Sequence, residues 1–186
     1  MSSGEAEMPQ TQEGEQATRD EAGGAGGGGA VPLMPGVPAE AGWLGLAGLL
    51  PFAAGLLAVA VLSGPAGALA KQLLAGYGAV ILSFMGGCRW GFAAAGLGPA
   101  GERDGSGGMG AWFAYIASVV PSLYAWVVLV LPDPWRLALL ALGFVGLLGA
   151  DYALTARGGA PAWWPALRLP LSLGAAGSLF LAALLV

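Results

Sequence analysis

The chain has 186 residues, 56% of them hydrophobic and only 10% charged, with seven Lys and Arg against eleven Asp and Glu. A soluble domain of that composition would lack the polar surface needed to cover itself, so water is excluded as the solvent for most of the chain. Histidine is absent and Cys88 is the single cysteine, which removes the usual haem ligands, the H-E-x-x-H zinc site, His-based triads, an internal disulfide and any C-x-x-C pair.

Charge falls unevenly along the chain. Residues 1–40 hold seven acids (Glu5, Glu7, Glu13, Glu15, Asp20, Glu21 and Glu40) and one base, Arg19, whereas six bases oppose four acids after them. The core of this segment, EAGGAGGGGAVPLMPGVP, buries too little to offset the entropy of ordering, which predicts a disordered acidic tail over 1–40. It has neither the Arg-rich amphipathic pattern of an organelle leader nor the basic flank and short apolar run of a secretory signal.

Five apolar segments follow, each long enough to cross about 30 Å of hydrocarbon at roughly 1.5 Å per residue. The first, 42–62, has Pro51 near its middle, which predicts a kink. SGPAGALAK reads as the turn to the second, 73–97, and the polar stretch GPAGERDGSGGMG follows it as a loop. The third, 111–131, contains Pro121, which removes one N–H and frees the carbonyl of Ala117, with Ser118 and Ser122 close enough to satisfy it. Such a break is either a simple kink or the lining of a binding site. The short PDP link makes a hairpin of the third segment and the fourth, 135–155, and the fifth runs over 167–186. The expected fold is all-α: a polytopic bundle of five transmembrane helices over residues 41–186. Trp43, Trp112, Trp135, Trp163 and Trp164 stand at span ends, where tryptophan anchors the interface.

Five crossings put the termini on opposite sides of the membrane. Arg103, Arg157 and Arg168 flank one side against Lys71 and Arg136 on the other, so the positive-inside rule places the N-terminus in the cytoplasm.

The second segment carries ILSFMGGCRWG. Ala79, Ser83, Gly87, Gly91 and Ala95 recur at every fourth position and form a small-residue stripe suited to close helix packing. Arg89 lies about 200° from Gly87, on a face with Gly78, Leu82, Met85 and Phe92. An unpaired arginine near mid-span costs about 2.5–3.5 kcal/mol on insertion scales, so it needs a partner or a route to water. Asp151 is the leading candidate, because the second and fourth segments run in the same direction, and Arg168 opens on the same side. The trio reads either as a structural ion pair with a snorkelling arginine or as a charged pocket for an anion, headgroup or substrate. Cys88 lacks a His base and is expected to be inert.

Several stretches carry a family resemblance: GLAGLLPF, YGAVILSFMGGCRWG, PSLYAW, the DY that closes the fourth segment, and WWPALRLPLSL. Together these resemble the transmembrane protein 69 family, a domain of unknown function found in bacteria and in mitochondria-bearing cells, over about residues 42–186. The resemblance implies a multi-pass inner-membrane protein and supplies no activity, substrate, cofactor or catalytic residue. Two classes stay open. One is a non-enzymatic structural or accessory membrane protein with a protein partner or a second copy; the other is a small oligomeric transporter or channel built around Arg89, Asp151 and Pro121. Beyond Tyr77, Ser83, Ser118, Ser122 and the charges the spans offer few polar residues, which favours the first. No enzyme is expected, since no nucleophile has a base. No metal or cofactor is expected either, and no basic patch outside the membrane suits nucleic acid.

Overall fold

The computed structural model describes residues 31–97 and 109–186. Most of the acidic tail, and the polar loop with Arg103, lie outside the described residues. Six helices are formed among those described: α1 Ala39–Ala47, α2 Leu50–Val61, α3 Gly64–Ala94, α4 Met109–Val128, α5 Trp135–Ala156 and α6 Trp164–Leu184. Four stretches are long and apolar enough to cross a membrane: Ala39–Val61, Gly64–Ala94, Trp135–Ala156 and Trp164–Leu184. The apolar part of α4, Trp112–Val128, is shorter, but α4 as a whole has 20 residues and so reaches about 30 Å.

The first crossing is two helices in series. The break falls at Gly48 and Leu49, just before Pro51, which occupies the first turn of α2, where its missing N–H costs least. Pro51 therefore starts a helix where the sequence suggested a bend within one. The hydroxyl of Tyr77 on α3 donates to the carbonyl of Gly48 at 2.9 Å, covering a backbone group that lipid could not satisfy. α1 also takes in Ala39 and Glu40, which the sequence had placed in the tail.

The second crossing begins nine residues earlier than its apolar run. Most of SGPAGALAK is helical, with Pro65 in the first turn and the chain reversing at Gly64, whose φ is +62°, a left-handed value that glycine adopts without penalty. Alanine supplies helix propensity over this stretch, so Lys71 sits within α3 instead of in a loop. The fourth and fifth crossings differ from their expected limits by at most three residues.

α3 is the hub. It packs along α4 and against α2, α5 and α6, while α4 lies at the edge and meets only α3 and α5 closely; α6 pairs along α5 and also touches α1 and α2. Phe52, Leu74, Leu82, Leu140, Phe144 and Leu179 fill the centre. Phe52 meets Tyr77 and Phe144 edge to face at 4.9 and 5.8 Å, worth about 0.5–1.5 kcal/mol per pair. Large apolar side chains also face outward on every crossing, among them Leu57, Leu73, Trp126, Leu142 and Phe180. No water-soluble monomer covers itself with such side chains, and hydrocarbon accepts them without cost.

The close approach of α3 to α4 occurs at Gly86, where a Cβ would overlap the carbonyl oxygen of Ser118 and lie 3.4 Å from the ring of Pro121. The expected small-residue stripe is only partly inside. Ala79 is buried and Ser83 half-buried, but Gly87, Gly91 and Ala95 are exposed, and nothing lies within 4 Å of a Cβ placed on Gly87 or Gly91. The packing face is the one through Gly78, Leu82, Met85 and Gly86, the face the sequence reading gave to Arg89. Spacing alone could not tell which face its neighbours would cover.

Candidate functional site

Helix ends set the level of the charged side chains. Arg89 lies five residues before the end of α3, Asp151 five before the end of α5, and Arg168 four after the start of α6. All three therefore stand about 6–8 Å inside the same end of the bundle. Arg89 is thus near one membrane face and not at mid-span, because α3 runs to 31 residues, and most of its excess length is on the other side.

Asp151 joins the two arginines. Its Oδ1 accepts from Arg89 Nη1 at 3.1 Å and its Oδ2 from Arg168 Nε at 2.7 Å. The Asp151 and Arg168 side chains are 1% and 2% exposed, that of Arg89 13%, so the cluster is sealed on the Arg168 side and reaches outward on the Arg89 side. Thr155 Oγ1 donates back to the Asp151 carbonyl at 3.0 Å, one turn along α5. Arg168 is the largest fully buried side chain. Its Nη1 donates to the thioether sulfur of Met85 at 2.7 Å, and its guanidinium carbon lies 5.8 Å from the centre of the Trp164 ring, within cation–π range.

Two positive charges face one negative charge, leaving a surplus of +1. Charges in a low-dielectric interior are tolerated only when paired and hydrogen-bonded. The cluster satisfies this for Asp151 and leaves Arg168 Nη2 without a partner.

The cluster stands between two cavities. One, of about 330 Å³, is walled by α1, α2, α3 and α6, with Phe144 of α5, and includes Arg168, Trp164, Met85 and Cys88. The other, of about 660 Å³, lies between α3, α4 and α5 and includes Arg89, Arg157 and Pro121. Pro121 is buried within α4 and packs against Gly86. Ser118 donates to the Tyr115 carbonyl at 2.6 Å and not to the Ala117 carbonyl that Pro121 frees, because the one-turn-back carbonyl is within reach of its short side chain. Among the described residues no three His, Cys, Asp or Glu side chains gather as metal ligands would.

Three participants were missed in the sequence. Met85 carries no charge to mark it. Tyr124, whose hydroxyl donates to the Leu139 carbonyl at 2.6 Å, looks like any aromatic in an apolar span. Trp164 was assigned to the interface, yet it is 6% exposed and packs edge to face on Phe92 at 4.9 Å. A signal was there: Trp164 and Arg168 are four residues apart, hence on one helix face.

A family model described as "Protein of unknown function (DUF3429)" matches residues 37–184. The chain belongs to this family. The matched range takes in all six helices and the three charged residues. The chain is also similar to Transmembrane protein 69 of Xenopus tropicalis, 37% identical over 151 residues, which cover 80% of this chain and 55% of that protein. It thus spans about half the length of the curated relative it matches. No solved structure matches it.

Proposed function

We propose that the protein is a non-enzymatic accessory component of an inner membrane, one that binds and holds and does not conduct or transform. A single observation carries this reading: among the described residues the charges of the cluster occupy one level near one end, and beyond the buried hydroxyls of Ser118 and Ser172 no polar path continues from them to the other. Below the cluster the centre is Phe52, Leu82, Phe144 and Leu179. The deeper tyrosines are spent on backbone carbonyls, Tyr77 on Gly48 and Tyr124 on Leu139. A pore needs polar groups at successive depths.

The end that holds Arg89, Arg157 and Arg168 is the more positive, against Lys71 and Arg136 at the other, which supports a cytoplasmic position for it and for the N-terminus. An activity reporter fused at the C-terminus is expected to work only on the far side; activity in the cytoplasm overturns that orientation. Flux tests the main reading. Purified protein in sealed vesicles is expected to pass chloride, phosphate and potassium no faster than empty vesicles do. Saturable uptake that disappears in Arg89→Gln would establish transport instead.

A further inference from the structure

Three polar atoms on the inner face of α6 are buried without a hydrogen-bond partner: Trp164 Nε1, Arg168 Nη2 and Ser172 Oγ. Their residues are 6%, 2% and 1% exposed. They follow one another at four-residue intervals, so they form one stripe about 12 Å long. An orphaned donor in so apolar a setting is costly, and native proteins leave only a few buried polar groups unsatisfied, each in need of an explanation. Three in a row on a single face are a feature in need of a counterpart.

Two of the three residues, Trp164 and Arg168, line the 330 Å³ cavity, and the rest of its wall is almost wholly apolar, including Leu44, Phe52, Ile81, Phe84 and Leu171. Leu44 and Phe84 are 74% and 61% exposed, so this wall continues onto the outer, lipid-facing surface. An indole N–H and a guanidinium N–H are donors only. Their complement is an acceptor that offers no donor of its own. The Arg89–Asp151–Arg168 cluster carries a surplus of +1, which calls for that acceptor to be an anion. An apolar chamber with an opening to lipid, and with these donors just behind one wall, matches a molecule with a small negative head and a hydrocarbon body, the head meeting the donors once the Trp164 and Arg168 side chains turn toward it. Its volume is at the lower end for ligand sites, which suits one chain better than two.

We propose that this cavity binds a single-chain anionic amphiphile taken from the bilayer, its oxyacid head accepting hydrogen bonds from Arg168 Nη2 and Trp164 Nε1. A carboxylate or a phosphate head meets the same donors. The alkyl chain lies against Ile81, Phe84 and Leu171. The binding requires neither transport nor catalysis and stands whether or not the vesicles described above show flux.

The test uses the full chain, stripped of lipid in an uncharged maltoside detergent, with thermal unfolding as readout. Four probes are compared: tetradecanoate, tetradecyl phosphate, tetradecanol and inorganic phosphate. At about 100 times its Kd, a ligand that binds only the folded state should raise the unfolding temperature by about 5–11 °C for a chain of this size. The expected result is a saturable rise with tetradecanoate, tetradecyl phosphate or both, and none with tetradecanol or inorganic phosphate. A rise with tetradecanoate alone assigns a carboxylate head, and one with tetradecyl phosphate alone assigns a phosphate head. An equal rise with tetradecanol, a rise with inorganic phosphate, or none with any probe overturns the proposal. Arg168→Lys keeps the charge beside Asp151 but removes the fork of donors, and should weaken binding at least tenfold. Since changes at Arg168 also disturb the ion cluster, Ile81→Trp serves as the second variant. It fills the chamber and leaves every charge in place; binding should vanish while the ligand-free protein stays folded, and unchanged affinity in this variant overturns the site.

Discussion

Replacing Gly86 with alanine would drive a methyl group into the backbone of the neighbouring helix. The new Cβ would overlap the Ser118 carbonyl oxygen and press on the Pro121 ring, 3.4 Å from its Cγ. Neither neighbour can swing aside, since one is main chain and the other a ring locked to it, so α3 and α4 must separate. Overpacking of this kind costs about 1–3 kcal/mol. Gly87→Ala is the matched control, one residue along the same helix with nothing within 4 Å of the added carbon. Both changes gain the same helix propensity, roughly 1 kcal/mol, so their difference isolates the contact. At about 2–4 °C per kcal/mol for a chain of this size, Gly86→Ala should unfold about 2–12 °C below Gly87→Ala in detergent micelles. The seven tryptophans provide the fluorescence signal. If Gly86→Ala is as stable as Gly87→Ala, the two helices do not meet as described.

Three other outcomes are expected. Asp151→Leu alone strands the buried Arg168 guanidinium and the half-buried one of Arg89 and should cost about 3–5 kcal/mol, whereas the triple change Arg89→Met, Asp151→Leu and Arg168→Met removes every charge and should recover most of that loss; thermal unfolding of the two variants checks this. Tyr77→Phe and Tyr124→Phe each uncover a backbone carbonyl and should cost about 0.6–1.7 kcal/mol, measured by equilibrium unfolding in mixed micelles. Asp133→Asn breaks the contact to Arg136 at 2.8 Å between side chains that are 16% and 18% exposed; water screens that pair, so the same assay should register only about 0.2–1 kcal/mol.

Much of the architecture can be read from hydropathy alone. Apolar length located the crossings, because hydrocarbon thickness fixes how many helical residues are needed, and stretches such as YGAVILSFMGGCRWG and WWPALRLPLSL pointed to the family to which the chain belongs. Helix starts were harder to place. Ser63 to Leu69 has the Gly and Pro of a turn, but a proline in the first turn begins a helix as readily as it ends one, so α3 began earlier than expected. Arg89, Asp151 and Arg168 could be grouped by direction and depth, since a membrane orders residues along one axis. Facing is a different matter. Whether Gly86 or Gly87 touches a neighbour depends on a rotation of about 100°, which the four-residue repeat of small residues left open. The acceptor role of Met85 and the burial of Trp164 likewise depend on which helices are adjacent, and a single sequence does not state that.

The coupling between Asp151 and Arg168 is the most direct measure of whether a charged cluster holds α3, α5 and α6 together. A double-mutant cycle with Asp151→Asn, Arg168→Gln and the pair, each unfolded by denaturant in mixed micelles, isolates it. With the two side chains 2.7 Å apart and both buried, the interaction energy should be about 1.5–3 kcal/mol, and the double variant should be markedly more stable than the sum of the single losses implies. Losses that add to within about 0.5 kcal/mol would mean that the two residues do not meet, and the cluster would not exist.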